Sequence, residues 1–294
     1  MIEKLNESAP VSRRSFSVSS LFAVYALAVS LPVFAYAEKK DFKYTVSSGA
    51  SVSIVNQKGS VTVKPSTSRQ VIITANPSSD KVELDASQNG NRVSVRTHML
   101  GKAGDDARVD YDVQLPADCT ITIDSGTGDV KVENVRGNVT VDSEEGQIEM
   151  RGVTNGIIQV QTVNGNVSLS NLKQARIQVT STGGNVELSS VSGPLVSVKS
   201  TSGTIKFTGD FNGGGNYKFT NHSGDIEVST PATASVDLSA RSQRGSVESD
   251  LAMQKSDHPA FALTEGKSVA GKLNSGASSV ELRSFSGKIR VKKQ

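Results

Sequence analysis

The chain has 294 residues, of which 32 are Lys or Arg and 29 are Asp or Glu. The formal charge of +3 becomes +2 once Glu3, Lys4, Glu7, Arg13 and Arg14 are set aside with the first 37 residues, which argues against a strongly basic nucleic-acid binder. One cysteine (Cys119) and three scattered histidines (His98, His222, His258) exclude an intrachain disulfide and a cysteine-cluster zinc site, and they disfavour a multi-histidine metal centre. With 5% aromatic residues, no Trp and 26 Gly, the composition suits many short strands and tight turns rather than a helical bundle.

Residues 1–37 have the three-part layout of an export signal. Arg13 and Arg14 supply the positive region. Leu21–Phe34 is a 14-residue apolar stretch, and Ala35-Tyr36-Ala37 is a small-x-small cleavage site followed by Glu38. The stretch is short beside the about 20 residues a spanning helix needs, so cleavage is expected, with an uncleaved N-terminal anchor as the alternative. Ser12-Arg13-Arg14-Ser15-Phe16 resembles the start of a twin-arginine export motif, and a general secretory leader remains the other reading. No cysteine follows the stretch to carry a lipid, and nothing after residue 37 is apolar enough to span a bilayer. The mature chain is expected to be periplasmic or at the cell surface.

Beyond the leader, short alternating strands are predicted at Val52/Ile54, Val61/Val63, Val71/Ile73, Val82/Leu84, Val93/Val95, Val109/Tyr111/Val113 and Ile121/Ile123. Residues 97–107 look like an inserted loop. A repeat of Gly-x-[Val/Ile]-x-apolar then begins at Gly128, Gly146, Gly165, Gly184, Gly203 and Gly224, in steps of 18, 19, 19, 19 and 21 residues. Weaker members start at Gly245 and Gly287. A second series interleaves at Gly137, Gly156, Ala175, Gly193, Gly215 and Ala234. Each repeat therefore holds two strands.

Alternation points Val130/Val132, Ile148/Met150, Val167/Leu169, Val186/Leu188, Ile205/Phe207 and Ile226/Val228 inward in the first series. The second series does the same with Val139/Val141, Ile158/Val160, Ile177/Val179, Val196/Val198, Tyr217/Phe219 and Val236/Leu238. One corner carries Val135, Val153, Leu172, Val191 and Phe211. The other carries a small polar column of Ser125, Ser143, Thr162, Ser181, Ser200 and Asn221, side chains that can bond nearby backbone and hold a turn.

A lone repeat cannot cover both of its apolar strand faces, but stacked repeats can, with equivalent strands parallel and about 4.8 Å apart. The expected fold is all-β: a single parallel β-solenoid of two sheets, of either hand, spanning residues 38–294. Residues 251–277 break the rhythm and read as a second loop. The cations of Lys288–Lys293 read as a charged terminal strand that discourages stacking with another molecule.

The run VDYDVQLPADCTITIDSGTGDVKVENVRGNVTVDSEEGQIEM (109–150), the [Thr/Ser]-x-x-Gly-[Asp/Asn]-[Val/Ile] units through Asp225 and the earlier GSVTV (59–63) resemble the DUF4097 β-strand repeat family, also called putative adhesins. The resemblance covers about residues 44–294 and rests on glycines, alternating aliphatics and one Leu-Pro. It implies a bacterial surface or envelope architecture. It brings no catalytic residue and no cofactor.

The glycines lack the strand–loop–helix setting of a phosphate cradle. The residue after each glycine varies (Asp129, Gln147, Asn166, Asn185, Thr204, Asp225), unlike a calcium-binding nonapeptide. Carboxylates are dispersed along one face, with Glu227 and Glu248 as expected stacked neighbours, and narrow coils leave little room for a cleft, so no enzyme is expected. The outward face of the second series is nearly neutral: Thr140, Gln159, Gln161, Gln178, Thr180, Ser197, Lys199 and Lys218. Amides and hydroxyls there match the donors and acceptors of a glycan, although a solvated face would have the same composition. The expected partner is a cell-surface glycan or an envelope protein, with a purely structural envelope role as the alternative. The repeat does not fix an oligomeric state.

Overall fold

A computed structural model describes residues 38–100, 107–211, 214–255 and 261–294. The leader, with Arg13, Arg14, Ala35 and Ala37, lies outside the described residues, as do His258 and Pro259. Among the described residues there are twenty-five strands and no helix long and apolar enough to cross a membrane.

In chain order the first seven strands are β1 (Lys40–Thr45), β2 (Ser51–Lys58), β3 (Val61–Ser66), β4 (Gln70–Pro77), β5 (Val82–Asn89), β6 (Arg92–Met99) and β7 (Val109–Pro116). The regular repeats supply β8 (Thr120–Thr127), β9 (Val130–Glu133), β10 (Val139–Glu145), β11 (Ile148–Arg151), β12 (Ile157–Asn164) and β13 (Val167–Leu172). They continue with β14 (Arg176–Gly183), β15 (Val186–Val191), β16 (Leu195–Ser200), β17 (Ile205–Thr208), β18 (Asn216–Asn221) and β19 (Ile226–Thr230). The last six are β20 (Val236–Ser242), β21 (Val247–Ser249), β22 (Gln254–Lys255), β23 (Ser268–Leu273), β24 (Ser278–Ser284) and β25 (Ile289–Lys293).

They form two mostly parallel sheets. Sheet one runs β1-β4-β7-β3-β9-β11-β13-β15-β17-β19-β25-β21, and sheet two runs β22-β23-β20-β24-β18-β16-β14-β12-β10-β8-β2-β6-β5. The first glycine series opens strands of sheet one, the second opens strands of sheet two, and one strand from each makes a coil. All twelve inward pairs read from the alternation are at most 2% exposed, as are the five apolar corner residues. Each buried aliphatic contributes about 1.5–3 kcal/mol, while each ordered residue costs about 1–2 kcal/mol of backbone entropy. Coils are therefore stable only as a stack.

Two columns set the coil spacing. The first-series glycines stack on one another, and a Cβ on Gly146 would overlap the carbonyl oxygen of Gly128. Gly146 also has φ 121°, a conformation that L side chains rarely adopt. The polar column is buried and in register across nine strands: Asn56, Ser125, Ser143, Thr162, Ser181, Ser200, Asn221, Ser284 and Ser242. Some of its hydroxyls hold the turn, with Ser181 Oγ donating to the Gly183 carbonyl and Ser200 Oγ to the Ser202 carbonyl, both at 2.6 Å.

The coils do not stack in sequence order at either end. The first coil (β2/β3) lies between β6/β7 and β8/β9, and the last (β24/β25) lies between β18/β19 and β20/β21. The glycine column follows the same path: Gly287 sits against the Gly224 carbonyl, and Gly245 against that of Gly287. Antiparallel strands finish both sheets at one end (β1 and β4, and β5) and sheet two alone at the other (β22 and β23), where sheet one ends in the short parallel strand β21.

This arrangement corrects four expectations. The cationic C-terminal strand is interior rather than an edge. Its charges match acids on both neighbours: Arg290 Nη1 lies 2.9 Å from both Asp225 Oδ2 and Glu227 Oε1, and Lys288 Nζ 2.5 Å from Glu248 Oε1. Glu227 and Glu248 are consequently not stacked neighbours, because Arg290 stands opposite both and relieves their repulsion. Thr97–Met99 end strand β6 instead of opening a loop, because Thr97 is buried and its hydroxyl donates to Asn56 Oδ1 at 3.1 Å. Residues 268–273 form β23, which pairs with β20 and covers the end of sheet two.

Candidate functional site

The outward side chains of sheet two form rows because the parallel strands keep exact register with the coils. One row runs Thr140–Gln159–Gln178–Ser197–Lys218 from β10 to β18. It continues through Thr122 on β8 at one side and through Glu281 on β24 and Ser239 on β20 at the other, and a second row lies beside it. The second runs Asp124–Asp142–Gln161–Thr180–Lys199–Thr220–Arg283–Arg241, from β8 across β24 to β20. All eight residues singled out in the sequence therefore lie on one face, in two neighbouring rows. Six of them, Gln159, Gln161, Gln178, Thr180, Ser197 and Lys199, line a shallow depression of about 150 Å³.

At Lys199 this face opens into a larger groove of about 590 Å³. Lys199, Thr220, Arg283 and Arg241 line it together with His222, Phe285, Gln243 and Phe261. The His222 and Phe285 rings stack in parallel at 4.8 Å, and the Arg244 guanidinium lies 4.7 Å from the Phe285 centroid. Those three residues sit on successive coils at the end of the polar column, so stacking follows from the coil spacing. The Arg241 guanidinium lies 5.8 Å from the Phe261 ring centroid.

Reading the sequence missed this groove and expected coils too narrow for one. Arg283 and Arg241 are adjacent only because β24 is inserted before β20. The aligned triplets Asn221-His222-Ser223, Ser242-Gln243-Arg244 and Ser284-Phe285-Ser286 carry the signal, but their stacking order is not a local property.

The electrostatics of the two faces differ. On sheet one, cations meet carboxylates: Lys131 with Glu133 at 3.2 Å and Glu149 at 3.6 Å, and Lys206 with Glu187 at 3.1 Å. In the groove, Arg283 pairs with Glu281, which also lies 3.5 Å from Lys218. Among the described residues no carboxylate lies within 4 Å of Lys199 or Arg241. A second hollow of about 850 Å³, at the opposite end, is lined by residues such as Pro65, Arg69, Asp118, Arg136 and Asn155, and Arg69 there is paired with Asp118. There Ser48 Oγ donates to Asp118 at 2.6 Å and Arg69 Nη1 at 2.8 Å, which hold its carboxyl down to about 2.

Among the described residues, no group of three or more His, Cys, Asp or Glu is placed to hold a metal. Cys119 is fully buried, and that burial, with the Asp118 charge adding to it, pushes its thiol up to about 11. It is a packing residue rather than a nucleophile.

Fold and surface together define a β-solenoid repeat protein with a continuous polar face and a cationic groove. The chain belongs to the Toastrack DUF4097 family, whose model matches residues 50–292. Among solved structures it is similar to a Clostridium sporogenes ATCC 15579 protein described as a putative cell adhesion protein, at 13% identity, TM-score 0.30, 87% of this chain and 100% of that one. It is also similar to a Bacteroides fragilis NCTC 9343 protein described as a putative adhesin, at 12% identity, TM-score 0.49, and coverage of 87% and 97%. A third, from Parabacteroides merdae ATCC 43184 and described in the same words, has 10% identity, TM-score 0.34, and coverage of 87% and 96%. No curated protein matches the sequence.

Proposed function

We propose that the protein is an exported, non-catalytic surface or envelope module that adheres to a glycan through the outer face of sheet two. Residues 1–37 act as the export signal, and residues 38–294 are the binding domain. The observation that carries this reading is the pair of rows holding Thr140, Gln159, Gln161, Gln178, Thr180, Ser197, Lys199 and Lys218. They repeat donors and acceptors at the strand spacing, as an extended chain of hydroxyl-bearing rings requires. A non-catalytic role is supported by the matching of the sheet-one acids Glu149 and Glu187 to lysines, by the open, flat setting of Asp124 and Asp142 on sheet two, and by a buried, unactivated thiol.

The test is retention of the purified protein on a panel of immobilised neutral and acidic glycans, beside envelope fractions with and without glycosidase treatment. Saturable, glycosidase-sensitive retention that is lost in Gln159→Ala/Gln178→Ala supports the reading. Retention that survives glycosidase would reassign the face to an envelope protein, and no retention at all would leave the structural role.

A further inference from the structure

Resting on that glycan-binding reading, we propose that the groove at the C-terminal end of sheet two binds an acidic polysaccharide, with Lys199, Arg283 and Arg241 holding its carboxylates. The first observation is the row itself. Lys199, Arg283 and Arg241 share one line of register on β16, β24 and β20, with only Thr220 between Lys199 and Arg283. At about 4.8 Å per strand, the two arginines are one strand apart and Lys199 is two strands from Arg283. The like charges on this line repel one another, and while Arg283 is paired with Glu281, Lys199 and Arg241 have no carboxylate partner among the described residues. On the other sheet, by contrast, Lys131 and Lys206 each have one. An anion laid along the row would relieve that repulsion, and each guanidinium can receive a carboxylate through two parallel N–H donors.

The second observation is what surrounds the cations. Phe285, clamped between the parallel His222 ring and the Arg244 guanidinium, lines the groove with the edge of its ring, and Phe261 adds a second apolar side chain to the lining. Thr220 and Gln243 add a hydroxyl and an amide. The groove and the neutral dish meet at Lys199, which lines both. Hydroxyls along the polymer thus meet amides while its acids meet the cations.

The third observation selects among polyanions. The row that ends in Arg283 and Arg241 begins with Asp124 and Asp142, beside the exposed Glu144 and Glu145. A uniformly charged polymer such as a nucleic acid would meet repulsion halfway along the face. A glycan with spaced carboxylates and many hydroxyls can place its acids at the basic end alone.

The experiment is calorimetric titration of the purified protein with polygalacturonate, with the same polymer after methyl esterification, and with poly-L-glutamate. Esterification keeps the sugar and removes the charge. The expected result is binding of polygalacturonate that weakens with added salt and drops about tenfold in Arg241→Gln and again in Arg283→Gln. Lys206→Gln, a charge-matched change on sheet one, should leave it intact. Unchanged thermal midpoints would show that the variants fold. Equal affinity for poly-L-glutamate would overturn a glycan site, and affinity insensitive to both arginines would overturn the groove. If the esterified polymer binds as well as the acid and only Gln159→Ala/Gln178→Ala weakens it, the groove proposal fails while the face reading stands. Binding of neither polymer also defeats the groove proposal; the face reading fails only if the whole glycan panel is silent.

Discussion

The middle of the stack and its two ends solve different problems with the same coil. From β8 to β19 each coil lies on its sequence neighbour, and the glycine, aliphatic and small polar positions repeat with little variation. At the ends that local rule is abandoned. The first and last coils are each drawn one place inward, and strands that do not belong to the repeat cover what is left. A parallel stack built only by the local rule would finish in open edges and loose chain ends. Interleaving gives the terminal coils a neighbour on each side and leaves the three-residue β21 as the edge of sheet one at the C-terminal end.

The polar column records the change. Small Ser and Thr occupy it through the middle, while asparagines stand where a displaced coil must be held. Asn56 Nδ2 donates to the Gly59 carbonyl at 3.0 Å and to the Val109 carbonyl of the outer coil at 2.9 Å. Asn221 Nδ2 donates to Gly203 of the preceding coil at 2.7 Å and faces the inserted β24. The groove belongs to the interleaved end as well, so the irregular part of the scaffold is also the part with the richest surface chemistry.

Deleting residues 278–294 should break this comparison most severely. In a stack that followed the sequence, the deletion would trim one end. Here it removes an interior coil, leaving β18 and β19 unpaired on one side and β20 and β21 with no parallel partner. Stability should fall by several kcal/mol, given about 1.5–3 kcal/mol for each buried aliphatic such as Val280, Leu282, Ile289 and Val291. Amide exchange protection should vanish across 236–273 as well. Persistent protection there would show that the coils stack in sequence order after all.

A point substitution in the middle tests the local rule at a smaller cost. Val186→Asp places a carboxylate at a fully buried position between Val167 and Ile205 and should cost about 3–5 kcal/mol. Glu187→Gln, one residue along, faces solvent opposite Lys206 and should stay within about 0.5 kcal/mol. Similar thermal midpoints for the two variants would overturn the register.

That contrast also explains what was legible in the sequence. Alternation and turn chemistry are local, so strand positions, both inward sets and the polar column could be read from residues such as Val186, Leu188 and Ser181 alone. Stacking order is not local. Nothing near Ser278–Ser284 says that this strand passes in front of β20, and Arg283 becomes Arg241's neighbour only through that choice. The charges of Lys288 and Arg290 were visible but ambiguous. Cations suit an exposed edge, and they equally suit a strand laid between Glu227 and Glu248. The neutral rows were found because they lie wholly in the regular part, and the groove was missed because it does not.

Within the polar column itself the expected effects are smaller and differ in sign. Ser181 Oγ makes a 2.6 Å bond to the Gly183 carbonyl, so Ser181→Ala should cost about 1 kcal/mol. The buried Thr162 hydroxyl has no partner. Thr162→Val keeps its shape and removes a desolvated group, so the midpoint in a thermal melt should hold or rise. A clear loss in the valine variant would mean that the column needs every hydroxyl, and not only those that bond a turn.

The smallest effect belongs to the N-terminal end and is read against pH. Asp118 joins the turn before β8 to Ser48, which precedes β2, and to Arg69, which precedes β4, so one carboxylate ties the displaced first coil to the coil it lies on. The Ser48 hydroxyl, and after it the Arg69 guanidinium, favour the charged form and lower the carboxyl from 3.8 to about 2. A lowered native value stabilises the folded state above the unfolded value. The contribution is therefore complete above pH of about 4 and fades as pH falls toward about 2. Both side chains of the ion pair are more than a third exposed, at 58% and 36%, so solvent screening keeps the contribution small. Ser48→Ala should move the Asp118 titration, followed by carboxyl-carbon NMR, upward toward the ordinary value. It should lower the thermal midpoint slightly at pH 7, by an amount that shrinks as pH falls toward about 2 and the carboxylate takes up its proton. A titration unmoved by the variant would assign the lowering to Arg69 alone and remove Ser48 from the clasp that holds the first coil in place.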